Sequence, residues 1–189
     1  MRLYISQKAI THELNMRKFL SFIILLLLIL GIVGYFLPTN FTVSKTVTIS
    51  STPAHIHEYV GDLNKWQTWT AWKGEESEIE ITIGEKTKGI GASQSWMDKY
   101  GGGSLTFTSW SPEKGIEYNL FFQGGKFKCK SAIQYDSTSQ TRTRVHWALQ
   151  GNMKMPIIGG YFALYMKYSI GKMFKDGLDQ LESIVEQDT

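Results

Sequence analysis

Cysteine is almost missing from this chain: Cys129 is the single one in 189 residues. An internal disulfide is therefore excluded, and any domain here is held by its apolar core even in an oxidising compartment. Repeats and low-complexity runs are absent as well. The roughly 150 residues after position 40 match the size of one ordinary domain with a real core. Net charge is the third shortage. The charged residues sum to +3, yet residues 1–18 hold four of the 20 basic residues and one of the 17 acidic ones, Glu13, leaving 16 of each sign in the rest. A neutral domain without a recognisable binding motif sets nucleic acid aside as a partner.

Charge is also missing from Phe19 to Leu37, FLSFIILLLLILGIVGYFL, which follows Arg17-Lys18 and ends at Pro38. As a helix these residues reach about 28 Å, close to the roughly 30 Å of bilayer hydrocarbon. About 15 of them are Leu, Ile, Val or Phe, which together favour insertion by roughly 5–9 kcal/mol. A cleaved signal peptide would have a shorter apolar region and a small-x-small cleavage site. Bulky residues at Tyr35, Phe36 and Leu37 fill those positions instead, so an uncleaved anchor is expected. A buried helix of a soluble domain would need core on every side, more than this chain supplies.

Arg2, Lys8, Arg17 and Lys18 precede the run and only Lys45 follows soon after, which places the N-terminus in the cytoplasm and the domain on the periplasmic or extracellular side. Met16-Arg17-Lys18 also has the pattern of a natural start. The expected division is a cytoplasmic segment 1–18, a single transmembrane helix 19–37, a linker 38–42 and a domain 43–187.

Within the domain, Phe41–Ile49 alternates β-branched residues and reads as a strand, and Ser50-Ser51-Thr52-Pro53 starts a helix that runs to about Leu63. Lys65–Lys73 forms a second short helical piece. The period then changes to two. Ile79–Ile83, Ile90–Asp98, Ser104–Trp110, Ile116–Phe122, Phe127–Ile133 and Arg142–Leu149 read as six strands joined by short turns, an antiparallel meander. Gly160–Glu186 is a long helix with an apolar stripe at Phe162, Met166, Ile170, Phe174, Leu178, Leu181 and Val185. The fold class is α+β, with a curved sheet of about seven strands wrapped on the long C-terminal helix.

That order resembles the START-related helix-grip superfamily, in particular its polyketide cyclase/dehydrase and lipid-transport group, often called SRPBCC. The bearers are Thr52-Pro53-Ala54 with Tyr59-Val60, and Asp62-Leu63-Asn64 leading to Trp66, Trp69 and Trp72. Gly89-x-Gly91, Val145-His146-Trp147 and Phe174-x-x-Gly177-Leu178-x-x-Leu181 also fit. A membrane-anchored branch of the group looks similar over the whole length. Ala71 stands where relatives commonly carry Pro. The resemblance implies a cavity between sheet and long helix that holds apolar small molecules such as lipids, sterols or polyketides. It implies no shared reaction, and no catalytic residue is carried over.

Trp66, Trp69 and Trp72 recur every third residue and gather on one side of a tight helical turn. They are candidates for a pocket mouth, with ordinary core packing or a face turned to the bilayer as alternatives. Tyr161, Tyr165 and Tyr168 lie at i, i+4 and i+7 beside the long helix's stripe, where hydroxyls would be polar handles in an apolar pocket. Strand alternation turns Gln94, Trp96, Phe107, Tyr118, Phe122, Phe127, Cys129 and Trp147 toward the helix.

The same alternation leaves almost no titratable group inside, as general acid-base work would require. Glu78, Glu80, Glu117 and Arg144 point outward. His55 and His57 share no helix face, make a poor metal pair and read as solvated. His146 lies on an outer face, and Cys129 reads as a small buried hydrophobe. The acidic run Glu75–Glu78 reads as a solvated turn, and Lys126, Lys128 and Lys130 form a basic row that protects an edge or meets anionic headgroups.

The leading expectation is a membrane-anchored domain that binds a lipid-like molecule without chemistry, metal or cofactor, through Trp66, Trp69, Trp72, Gln94, Trp96, Phe107, Tyr118, Phe122, Trp147, Tyr161 and Tyr165. The alternatives are a cyclase or dehydratase that brings Tyr118, Gln94 and Tyr165 together, and a module that docks an unidentified envelope protein.

Overall fold

A computed structural model describes residues 2–70, 79–97 and 101–188, with side chains from residue 15 onward. The N-terminal helix α1 spans Arg2–Phe36 without interruption. Among the described residues, Asn15–Phe36 is the one segment long and apolar enough to cross a membrane. Its side chains stand bare along most of that length.

Only three residues separate the end of α1 from strand β1 (Asn40–Ile49). Helix α2 (Pro53–Val60) starts where Thr52 accepts a hydrogen bond from the His55 amide and Pro53 supplies a preset φ. It stops at Gly61, whose amide donates to the His57 carbonyl. Asp62 accepts from the Asn64 amide and starts a tight turn at Leu63–Lys65, followed by helix α3 (Trp66–Trp69).

Strands β2 (Glu80–Ile83), β3 (Ser93–Met97), β4 (Gly103–Ser111), β5 (Gly115–Phe122), β6 (Phe127–Ser139) and β7 (Arg142–Asn152) follow. All seven strands join one antiparallel sheet in the order β1-β7-β6-β5-β4-β3-β2, so β1 closes on the last strand of the meander. The strand expected from Ile90 begins at Ser93. Ile90 is 62% exposed in a turn whose Gly89 and Gly91 both take positive φ. At the β4–β5 turn Gly115 has φ +100, and a Cβ there would collide with the Ile133 carbonyl oxygen; only glycine fits.

The register gathers apolar pairs from successive rows: Val43 faces Leu149, Trp147 faces Ile133, Cys129 faces Leu120, and Leu120 faces Leu105. Helix α4 (Gly159–Gln187) lies against this sheet face and buries Ile170, Phe174, Leu178, Leu181 and Val185. Gly171 of the helix is buried beside Val43 and Lys45 of β1. Phe162, expected on the buried stripe, is 47% exposed, since the first turns of the helix bury Gly159, Gly160 and Ala163 instead.

Both ends of α4 are fastened. At its C-terminal end the Ser50 amide donates to Glu186 at 2.7 Å and the Tyr59 hydroxyl donates to Asp188 at 2.6 Å. At its start, Gly160 packs on Leu37 and the Tyr161 hydroxyl donates to the Leu30 carbonyl of α1 at 2.8 Å.

Candidate ligand-binding interior

Alternation along β3, β4, β5 and β7 sends Gln94, Trp96, Leu105, Phe107, Tyr118, Leu120 and Trp147 to the face that α4 covers, and each is buried. Trp66 and Trp69 come down on the same space from α3, three residues apart on one helical face. The aromatic rings then meet in series. Trp66 lies 5.5–5.7 Å from Trp69, Phe107 and Tyr118, and Trp69 lies 5.5 Å from Trp147. Trp147 stacks on Phe174 of α4 with centroids 3.9 Å apart and planes 12° from parallel. Such pairs add about 0.5–1.5 kcal/mol each beyond their area burial.

Every indole N–H of this cluster has a partner. Trp66 donates to the Val60 carbonyl at 2.8 Å, Trp69 to the Tyr59 carbonyl at 3.3 Å, and Trp147 to the Tyr118 hydroxyl at 2.9 Å. Burial holds the Tyr118 hydroxyl above its ordinary titration range, and bonding with Ser131 and Trp147 offsets only part of that. It is a neutral polar group at physiological pH. Cys129 is buried nearby, its thiol pushed up to about 11 by desolvation, which suits a small hydrophobe rather than a nucleophile.

The interior thins toward β2 and β3. There Trp96 and Phe122 pair at 5.7 Å, and Ile81 and Ile83, opposite Trp96 and Gln94, are only half-buried. Gln94 is 4% exposed, and its Oε1 has no hydrogen-bond partner. A buried amide oxygen left unpaired costs about 1–3 kcal/mol, so this end of the interior holds an unused acceptor among apolar walls. A separate cleft of about 600 Å³, lined by Glu80, Thr82, Ser95, Met97 and Ser104, lies on the opposite, polar face of the sheet.

The remaining candidates fall elsewhere. Tyr161 bonds to α1, while Tyr165 and Tyr168 are 63% and 77% exposed on the outer side of α4. Tyr165 therefore does not join the buried Tyr118 and Gln94. Trp72 and the acidic run Glu75–Glu78 lie outside the described residues.

One interior group escaped the sequence reading. His57, expected to be solvated, is 4% exposed: its ring packs edge-on against Trp110 at 4.5 Å, and its Nδ1 hydrogen-bonds the Tyr135 hydroxyl at 3.1 Å. The short α2 is covered on two sides, so helical spacing alone did not separate its wet and dry faces. Desolvation lowers the His57 pKa to about 4. Its Nε2 is unpartnered and closed off by Gly61, where a Cβ would lie 2.5 Å away, leaving no room for a substrate. His55 is partly covered and bonds to Ser51. Among the described residues no group of three or more His, Cys, Asp or Glu side chains is placed to hold a metal ion.

A seven-stranded antiparallel sheet gripping one long C-terminal helix over an aromatic interior defines a helix-grip protein. The chain belongs to the family described as polyketide cyclase / dehydrase and lipid transport, whose model matches residues 40–186. Solved structures share the fold at low identity. A START superfamily protein from Mycobacterium smegmatis is 21% identical with a TM-score of 0.54, covering 78% of this chain and 99% of its own. A hypothetical protein from Helicobacter pylori is 10% identical with a TM-score of 0.59, covering 76% and 87%. A protein from Thermus thermophilus is 17% identical with a TM-score of 0.57, covering 78% and 99%. No curated protein matches the chain.

Proposed function

We propose that this protein is a single-pass, membrane-anchored helix-grip domain that holds a lipid-like molecule in its interior without transforming it. The N-terminus is cytoplasmic in this reading, and the domain works on the outer face of the membrane. The family description, which includes lipid transport, supports the ligand class. The observation that carries the reading is Gln94, an unpaired amide oxygen buried beside Trp96 and the half-covered Ile81 and Ile83. An apolar molecule with one hydroxyl or amide donor would bury its chain against these walls and satisfy Oε1.

Two features argue for binding over chemistry. His57 is sealed against Gly61, and Tyr118 is neutral and already bonded to Trp147. Neither offers a proton-transfer group to a bound molecule. Native mass spectrometry of the full chain released from detergent micelles, with monoolein as probe, tests the reading. One adduct per chain is expected, with occupancy about tenfold weaker in Gln94→Leu, the equivalent of about 1.4 kcal/mol for one lost hydrogen bond. A chain that stays bare overturns the reading, and equal binding by the variant removes Gln94 from it.

A further inference from the structure

Outside α1, eight large apolar side chains of the described residues are exposed, and six of them fall between positions 157 and 168: Ile157, Ile158, Phe162, Leu164, Tyr165 and Tyr168. Scattered exposed hydrophobics are ordinary, but a run of six in twelve residues is a patch. The patch is continuous with α1. Ile157 lines an apolar groove of about 480 Å³ together with Leu28, Gly31, Ile32 and Tyr35. The Ile157 carbonyl rests on Gly34, where a Cβ would collide with its oxygen.

These contacts fix a depth. The Tyr161 hydroxyl reaches the Leu30 carbonyl, and Leu30 lies seven residues before the end of the apolar run at Leu37, about 10 Å along the helix. If α1 spans the bilayer, the segment that touches Leu30 and Gly34 is within the hydrocarbon too. Its polar groups suit that place. The hydroxyl of Tyr161 is paired, and the Gly159 and Phe162 amides donate to the carbonyls of Met155 and Ile158. Ile157 takes φ +64, a strained setting for a β-branched residue, and this turns the chain back along α1.

A basic cleft adjoins the patch. Lys45 of β1 and Lys167, Lys172 and Lys175 of α4 surround about 570 Å³ beside Tyr168, with Lys175 also bonded to Asp179. Long lysine stems next to an apolar face place their ammonium groups at the level of anionic headgroups.

We propose that the loop before α4 and its first two to three turns are inserted into the bilayer alongside α1, with acyl chains filling the Ile157 groove and anionic headgroups meeting the lysine cleft. This rests on the reading of α1 as a membrane anchor. The domain is then a partly embedded body held in one orientation, rather than a globule on a tether. Its helix-grip interior is fixed relative to the lipid surface by two points, α1 and the start of α4.

Nitroxide labels on single introduced cysteines in the full chain, reconstituted in vesicles of phosphatidylcholine with or without phosphatidylglycerol, test this. Cys129 needs no replacement, since it is buried and labels slowly. Labels at Ile158→Cys and Phe162→Cys are expected to collide with oxygen several-fold more than with a water-soluble nickel chelate, as a label at Leu27→Cys will. A label at Ile90→Cys on the far turn should show the reverse. Charge reversal at Lys167 and Lys172 should raise nickel access at Phe162→Cys only in the phosphatidylglycerol vesicles. Aqueous readings at positions 158 and 162 with an acyl reading at 27 overturn the insertion and leave the anchor standing. An aqueous reading at 27 overturns the anchor itself. Labels shielded from both reagents with spin–spin broadening would assign the groove to a second copy of the chain and overturn the proposal.

Discussion

His57 carries the clearest consequence of a single placement. Its folded-state pKa is lowered to about 4 by burial, against about 6.5 when exposed. As pH falls from 6.5 toward 4, the unfolded chain takes up a proton that the folded one refuses, so stability declines through that window and the loss is complete below it. The difference is on the order of 2–3 kcal/mol. His57→Gln retains a side chain able to bond Tyr135 and lacks the titration. Urea midpoints measured from pH 7 to pH 4 should fall more steeply for the parent chain than for the variant. Parallel curves would show that the ring is accessible to protons in the folded state. Gln94 illustrates the opposite case, a buried group whose unpaired oxygen is neutral and does not titrate.

At the scale of elements, α4 does three jobs along its length. Its first turns lie on α1, its middle seals the interior through Phe174 on Trp147, and its end is tied to β1 and α2 through Glu186 and Asp188. The Phe174–Trp147 stack joins helix to sheet at the centre, so Phe174→Ala leaves a cavity that the surrounding rings cannot fill. A loss of about 3–5 kcal/mol in unfolding free energy is expected by chemical denaturation of the full chain in micelles. A loss below about 1 kcal/mol would mean that the interior is loosely packed and already collapses or holds solvent. The sheet contributes differently. Its register is what gathers Tyr118, Trp147 and Cys129, from three different strands, onto one face.

For the whole molecule, the decisive feature is the direct junction of an apolar helix to a neutral, closed domain. With β1 starting at Asn40, the domain has almost no tether, and the aromatic side chains of Tyr35 and Phe36 meet edge to face at the junction. Washing membranes with alkaline carbonate should leave the full chain in the pellet, and only detergent should release it. Release by carbonate would show that α1 lies on the surface or is removed, and would sink the single-pass reading.

Local pattern alone determined the parts of this protein whose cause is local. Period two along Ile116–Phe122 and Phe127–Ile133 reports one covered face, and the uncharged run before Pro38 reports a helix apolar on every side, because each depends only on neighbouring residues. The family likeness was legible from the order of those parts. Tertiary structure alone decided the burial of His57, the missing partner of Gln94, the exposure of Phe162 and Tyr165, and the bond between Tyr161 and Leu30. Each of these depends on which distant segment arrives beside a side chain; Tyr161 and Leu30 are 131 residues apart, and no local periodicity encodes such a meeting.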